Sequence, residues 1–235
     1  MYIYVRVMDE DIYRRDGPDP LTSRIKARLE QASGEPCLVV FYRDLSMALV
    51  QELRPRAIVM SGFGRSFQEF QVSWFQGQDE VLHQADLPIL CFCGSHQLLG
   101  FAFNQNLSQV ERLEDQPIRK LEAEEDLPRR AGDLSEFYLA EGFFPIWQVK
   151  PDPLFEGLPP MMIMRCSHYC EVKTLPPGFE LLARSKHCRI EAMRHATRPL
   201  YGTQFHPELY EAPFYDGRTL LRNFARVVAD FWRAK

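Results

Sequence analysis

Two segments of this chain hold residue types that perform acyl chemistry when they are brought together. The first reads Pro88-Ile89-Leu90-Cys91-Phe92-Cys93-Gly94-Ser95-His96-Gln97. It predicts an apolar strand that runs into small residues and then into a helix over 97–103. A thiol at such a turn stands above the carboxyl edge of a sheet. Unpaired N–H groups at the start of the following helix favour its thiolate. The amide of Gly94 is placed to donate to a developing oxyanion. The second segment, Tyr201-Gly202-Thr203-Gln204-Phe205-His206-Pro207-Glu208, sets a histidine at a strand end with a carboxylate two residues on. On an extended backbone the two side chains face one side. Glu208 then accepts from one ring nitrogen of His206 while the other addresses a thiol. A cysteine nucleophile needs this base because only the thiolate attacks efficiently, and the imidazolium later protonates the leaving amine. Each segment alone also has a plainer reading, Cys93 as a buried cysteine at a strand end and His-Pro-Glu as a surface turn.

The elements that must bring these segments together follow from hydrophobic patterning. Strands are predicted at 2–8, 37–42 and 57–60, and the apolar run 88–92 continues the series. Helices are predicted at 21–31, at 45–53 with Asp44 as N-cap and Pro55 as the stop, and at 67–85. Strands without polar alternation, separated by helices, indicate a parallel sheet covered on both faces. Residues 61–64, Ser-Gly-Phe-Gly, form a flexible turn after the third strand. The stretch 104–140 breaks the rhythm. Its acidic residues Glu122, Glu124, Glu125 and Asp126, with Pro117 and Pro128, read as a surface excursion or lid. Beyond it, strands are predicted at 143–149, 161–166, 179–183, 189–193 and 199–205. A closing helix over 216–232 carries Leu220, Leu221, Phe224, Val227, Val228 and Phe231 on one stripe.

Composition narrows the partners. The chain has 235 residues, is 46% hydrophobic and 26% charged, and carries a net charge of −4. That balance offers no basic footprint for nucleic acid, so the expected partner is a small molecule. No run of eighteen apolar residues occurs, and no membrane span is expected. The N-terminal Met1–Val7 is broken by Arg6 and is unlike a secretory signal. The six cysteines are therefore expected as reduced thiols in a cytoplasmic protein. Cys91, Cys93, Cys166, Cys170, Cys188, His168 and His187 match no pair of zinc knuckles by spacing, and no metal or cofactor is expected. Cys37 and Cys188 read as small core hydrophobes. His83, His187 and His195 belong to no constellation, and Phe70, Trp74 and Phe75 read as packing.

Taken together, the two chemical segments resemble the class I glutamine amidotransferases. In that family the nucleophile lies in proline, two aliphatics, Gly-x-Cys-x-Gly-x-Gln, and the base in Tyr-Gly-x-Gln-Phe-His-Pro-Glu. Pro88 and Gln97 flank Cys93 at the family's spacing, which selects Cys93 over Cys91. Cys166-Ser167-His168-Tyr169, followed by Leu175-Pro176-Pro177-Gly178-Phe179, is similar to the family's Ser-His segment and the motif downstream of it. Ser61-Gly62-Phe63 falls where the family has its oxyanion loop. The resemblance runs from the first strand to about Glu208. It implies one α/β domain over 1–235, flavodoxin-like, with a mostly parallel central sheet flanked by helices and a smaller antiparallel strand addition.

For the site, the resemblance implies a catalytic Cys93, His206 and Glu208, with Gly62, Phe63, Gly94, Gln97, His168 and Tyr169 around the substrate. Gln97 would help position the glutamyl portion, although a helix-start residue without a role is the plainer reading. His168 and Tyr169 would meet the substrate's amino-acid end, and His168 reads equally well as a core histidine. The implied reaction is hydrolysis of the γ-amide of glutamine, or of a γ-glutamyl compound, through a γ-glutamyl thioester. Ammonia would then pass to a separate synthetase subunit, since no synthetase segment accompanies the motifs. Four positions depart from the pattern: Cys91 and Ser95 replace glycines, Gly94 stands where a larger residue is usual, and Phe63 where glycine is usual. They bear on catalytic efficiency more than on fold, and they keep open a second reading, a catalytically impaired module for binding or regulation.

Overall fold

The computed structural model describes residues 1–17, 19–125 and 136–235. Along the chain come β1 (Tyr2–Arg6), α1 (Glu10–Asp16), α2 (Pro20–Ser33), β2 (Cys37–Phe41), α3 (Met47–Leu53) and β3 (Ala57–Met60). Next follow α4 (Gln76–Gln84), β4 (Ile89–Phe92) and α5 (Gly94–Asn104). After 104–140 come β5 (Ala140–Gln148), β6 (Met161–His168), β7 (Phe179–Arg184), β8 (Ala192–His195), β9 (Leu200–Thr203) and α6 (Asp216–Ala234). The strands make one nine-stranded sheet in the order β2-β1-β3-β4-β9-β8-β7-β5-β6. From β2 to β9 every pairing is parallel, and from β9 to β6 every pairing is antiparallel. The chain is thus an α/β domain with a mixed sheet, its helices on both faces.

Period-two alternation divides the interior. Ile3 and Val5 of β1, Ile58 and Met60 of β3, and Ile89 of β4 face Val50 of α3, Val81 and Leu82 of α4, and Leu98 and Leu99 of α5. Tyr2, Tyr4, Val59, Leu90 and Phe92 face the other way, against Ile25 and Leu29 of α2 and Leu220, Leu221, Phe224 and Val228 of α6. Because the central strands are covered on both faces, their residues show no polar alternation. β4 lies between β3 and β9. This topology brings the end of β4, which leads to Cys93, beside the end of β9, which leads to His206.

Several local expectations are corrected. The predicted helix over 67–85 is two 3-10 turns, Phe67–Glu69 and Val72–Phe75, ahead of a shorter α4. Ser66 and Glu69 close a reciprocal capping box on the first turn. The cause is tertiary: Phe63, Phe67, Phe70 and Phe75 pack ring against ring, with centroids 5.1–6.1 Å apart. The N-cap of α3 is Ser46, whose hydroxyl accepts from the Leu49 amide at 3.1 Å. Asp44 instead ends the 3-10 turn Tyr42–Asp44. Helix α1, capped by Asp9, has no counterpart among the predicted helices, and α5 begins at Gly94 rather than Gln97. The strand predicted at 189–193 is displaced, because the β7–β8 register shifts between Leu181 and Ala183.

The described part of 104–140 is tied to the segment after β6. Ile118 N–H donates to Tyr169 O at 2.8 Å, and Glu171 N–H to Gln116 O at 3.0 Å. Ile118 and Tyr138 are buried in the α2/α6-side core. Asp126 and Pro128 lie outside the described residues. Among the described residues no helix is long and apolar enough to cross a membrane.

Candidate active site

Cys93 sits between the last residue of β4 and the first of α5, with φ +44° and ψ −106°. That backbone region is unfavourable for a residue with a Cβ, and its cost is borne by the surrounding structure. Cys93 N–H donates to Thr203 O at 2.7 Å, and Cys93 O accepts from Gln97 N–H at 3.0 Å. Ser95, next but one after the bend, donates its hydroxyl to Ser61 O at 2.6 Å. The thiol is 4% exposed and borders a cavity of about 70 Å³ shared with Phe63, Gly94, Gln97 and Tyr169. Cys91, two residues earlier, is sealed within β4, and burial pushes its thiol far above the ordinary value.

The ring opposite is anchored from three directions. His206 N–H donates to Arg165 O of β6 at 2.7 Å. Its Nδ1 lies 2.7 Å from Glu208 Oε1. Burial opposes charge on the ring, but the Glu208 carboxylate and then Cys93, which also hydrogen-bonds the ring, outweigh it and hold the His206 pKa well above the ordinary value. With Nδ1 engaged by Glu208, Nε2 is the nitrogen left for the thiol. The backbone here is not extended as expected. Pro207–Leu209 form a single 3-10 turn, and that turn carries Glu208 back toward the ring. Arg28 of α2 fastens the turn, donating to Glu208 O at 2.5 Å while its guanidinium lies 3.9 Å from the centre of the Tyr210 ring.

The loop after β3 closes the third side. Ser61 N–H donates to Val5 O at 2.9 Å, and its hydroxyl accepts from Val7 N–H, also at 2.9 Å. A Cβ on Gly62 would lie 2.7 Å from His206 Cε1 and 3.0 Å from Cys93 Cβ. Glycine is therefore required for the loop to lie against both the thiol and the ring. A Cβ on Gly94 would come 2.6 Å from the Phe63 ring. The larger-than-usual residue 63 and the smaller-than-usual residue 94 are one steric exchange.

The remaining expected residues are also placed. Gln97 is buried, and its side-chain amide donates to Cys170 O at 2.9 Å and to Gln204 Oε1 at 3.1 Å. Its nitrogen is thus committed to the scaffold, although the side chain borders the cavity. His168 and Tyr169 line the same cavity. His168 is buried, and its Nδ1 meets Cys170 O at 2.9 Å. Burial pushes its pKa down to about 4, so the ring is neutral at pH 7.

Three further residues had no role assigned from sequence. Gln204 is fully buried and donates to Cys93 Sγ at 3.5 Å while accepting from Gln97. Its place in the Tyr201–Glu208 motif was the signal that could have found it. Arg65 and Asp115 stand at the cavity, and Asp115 Oδ1 accepts from Phe67 N–H at 3.0 Å. No sequence signal connects Asp115, from the 104–140 stretch, to Cys93. His83, His187 and His195 pack against Phe103, Tyr138 and Phe179. Among the described residues, one group of side chains is arranged to hold a metal ion: Cys166, His168 and Glu191. It is separate from Cys93, His206 and Glu208.

Comparison with known proteins extends this picture. A family model described as glutamine amidotransferase class-I matches residues 21–227. The glutamine-hydrolyzing subunit of GMP synthase from Pyrococcus abyssi is 33% identical over 184 residues, covering 77% of this chain and 80% of that one. Its namesake in Archaeoglobus fulgidus is 36% identical over 146 residues, 62% of this chain and 64% of that one. A crystal structure of a candidate GMP synthase subunit from Thermoplasma acidophilum superposes with a TM-score of 0.72 at 22% identity. That superposition covers 100% of this chain and 96% of the other, and it speaks for the fold.

Proposed function

The chain belongs to the class I glutamine amidotransferase family, and we propose that it hydrolyses the side-chain amide of glutamine with Cys93 as nucleophile, His206 as base and Glu208 as the group that orients the base. The observation that carries this reading is the 2.7 Å His206–Glu208 contact beside a cysteine held at positive φ at the head of α5. The relatives named as glutamine-hydrolysing subunits of GMP synthase favour glutamine over other γ-glutamyl compounds. They also favour delivery of the ammonia to a separate synthetase subunit.

In this mechanism His206 Nε2 takes the thiol proton, and the imidazolium is stabilised by Glu208. The thiolate attacks the γ-carbonyl carbon, and its negative charge passes to the carbonyl oxygen. The amides of Gly94 and of the Gly62–Phe63 loop are the donors for that oxyanion, at roughly 3–4 kcal/mol per donor. The imidazolium gives its proton to the departing nitrogen, ammonia leaves, and a γ-glutamyl thioester remains on Cys93. His206 then draws a proton from water, hydroxide displaces the thiolate, and glutamate is released. Gln204, on the far side of the sulfur, positions it through the 3.5 Å contact.

A diazoketone analogue of glutamine tests the assignment. The expected result is one adduct on the Cys93 peptide by mass spectrometry, protection by glutamine, and much slower labelling in His206→Ala. Labelling confined to another cysteine, or none at all in folded protein, would remove the catalytic reading in favour of a binding module. Ammonia release from glutamine compared with turnover of γ-glutamyl dipeptides tests the substrate.

A further inference from the structure

We propose that Cys166, His168 and Glu191 form a binding site for a zinc-type divalent cation behind the Cys93–His206 centre. Their ligand atoms all lie within 4.8 Å of one another, and all three residues are buried. Two of those atoms point to a missing partner. His168 Nε2 and Glu191 Oε2 are buried and lack any hydrogen-bond partner among the described residues, each other included. Such atoms are uncommon in folded proteins and signal an unfilled partner.

The ring is also in the form that a metal requires. Cys170 O can only accept, so Nδ1 carries the proton in its 2.9 Å contact. Nε2 therefore presents its lone pair toward the sulfur and the carboxylate. A ligating histidine commonly donates its other nitrogen to a backbone carbonyl in this way, which fixes tautomer and ring orientation. Ser185 hydrogen-bonds the Glu191 carboxylate and supplies the same support there.

The donor set suits zinc. One thiolate, one neutral imidazole and one carboxylate are all common zinc ligands. With Cys166 and Glu191 ionised, their two negative charges balance the dication, so the loaded site adds no net charge to the interior. Binding releases the thiol proton and any carboxyl proton to solvent. Cys166 and Glu191 also border a cavity of about 130 Å³, which has room for a water molecule as fourth ligand. The ion would bear on the neighbouring centre. His168 borders the Cys93 cavity, and Glu191 O holds the backbone of Gln204 at 2.7 Å. The ligands come from β6 and from the irregular residues before β8, so their spacing in sequence carries no zinc-knuckle pattern.

The test is titration of the metal-free, reduced full-length protein with Co²⁺, followed by Zn²⁺ displacement. The expected result is one ion per chain with a near-ultraviolet thiolate-to-cobalt band. Cys166→Ser should abolish the band, and Glu191→Gln should weaken binding by about 10–100-fold. Cys93→Ser should leave band and stoichiometry intact. A band that survives Cys166→Ser but disappears in Cys93→Ser would place the ion on the proposed nucleophile and overturn the proposal. So would the absence of stoichiometric binding in protein that still reacts at Cys93 with the diazoketone, an outcome that leaves the hydrolase reading standing.

Discussion

The ring of Phe63 occupies the space that a side chain on residue 94 would need: a Cβ built on Gly94 comes within 2.6–2.8 Å of three of its carbon atoms. Two positions that looked like independent departures are therefore sterically coupled. Gly94→Ala should destabilise the protein by about 1–3 kcal/mol through overpacking, and Phe63→Ala in the same chain should recover most of that loss. A double-mutant cycle by urea unfolding reads the coupling. Additive effects would show that the ring gives way freely.

Gly62 is predicted to be intolerant of even one methyl group. A Cβ there meets His206 Cε1 at 2.7 Å and Cys93 Cβ at 3.0 Å, so Gly62→Ala must part the ring from the sulfur. Displacements of about 1 Å between reacting groups cost on the order of 100-fold in rate. Ammonia release from glutamine should fall by that much while circular dichroism stays native. Unchanged kcat would mean that the loop does not abut the reacting groups.

His206 should remain protonated above the usual histidine range, because Glu208 and Cys93 outweigh the effect of burial. The raised value means that the folded state binds this proton more tightly than the unfolded chain. Its stabilisation is complete below the unfolded value near 6.5 and is lost as pH rises through the folded value. A ring-proton NMR titration should place the His206 midpoint above that of an unfolded histidine, and Glu208→Gln should lower it. A wild-type midpoint at or below 6.5 would refute the charge balance.

His96 acts in the opposite sense. It is fully buried, its Nε2 meets Ile190 O at 3.0 Å, and burial pushes its pKa down to about 3. Because the folded state resists a proton that the unfolded chain takes up near 6.5, stability is full above that pH and declines as pH falls toward 3. The loss is of order 4 kcal/mol at most. Urea midpoints between pH 7 and 4 should fall in the wild type and less steeply in His96→Gln, and equal slopes would assign the acid sensitivity elsewhere.

Removing either end of the proposed relay should separate chemistry from folding. Cys93→Ser and Glu208→Gln should both unfold near the wild-type urea midpoint. Glutaminase activity should fall by about 10⁴-fold for loss of the nucleophile and by on the order of 100-fold or more for loss of the orienting carboxylate. A Glu208→Gln enzyme with full activity would show that the 2.7 Å contact is merely structural.

What the residues alone determined was the chemistry and the frame that carries it. The run Pro88–Gln97 and the motif Tyr201–Glu208 are local patterns, and so is the uninterrupted apolar character of β2, β3 and β4. Short-range periodicity therefore discloses them. The tertiary structure decided what depends on contacts distant in sequence. The aromatic packing of Phe63, Phe67, Phe70 and Phe75 turned an expected helix into two 3-10 turns. Gln97 spent its amide on Cys170 and Gln204, and Asp115 arrived at the cavity from a stretch with no recognisable pattern. Cys166, His168 and Glu191 met behind the Cys93 site only because β6 and the chain before β8 converge there. A side chain's type is written in the sequence, whereas its free lone pairs and its neighbours exist only once the chain has closed on itself.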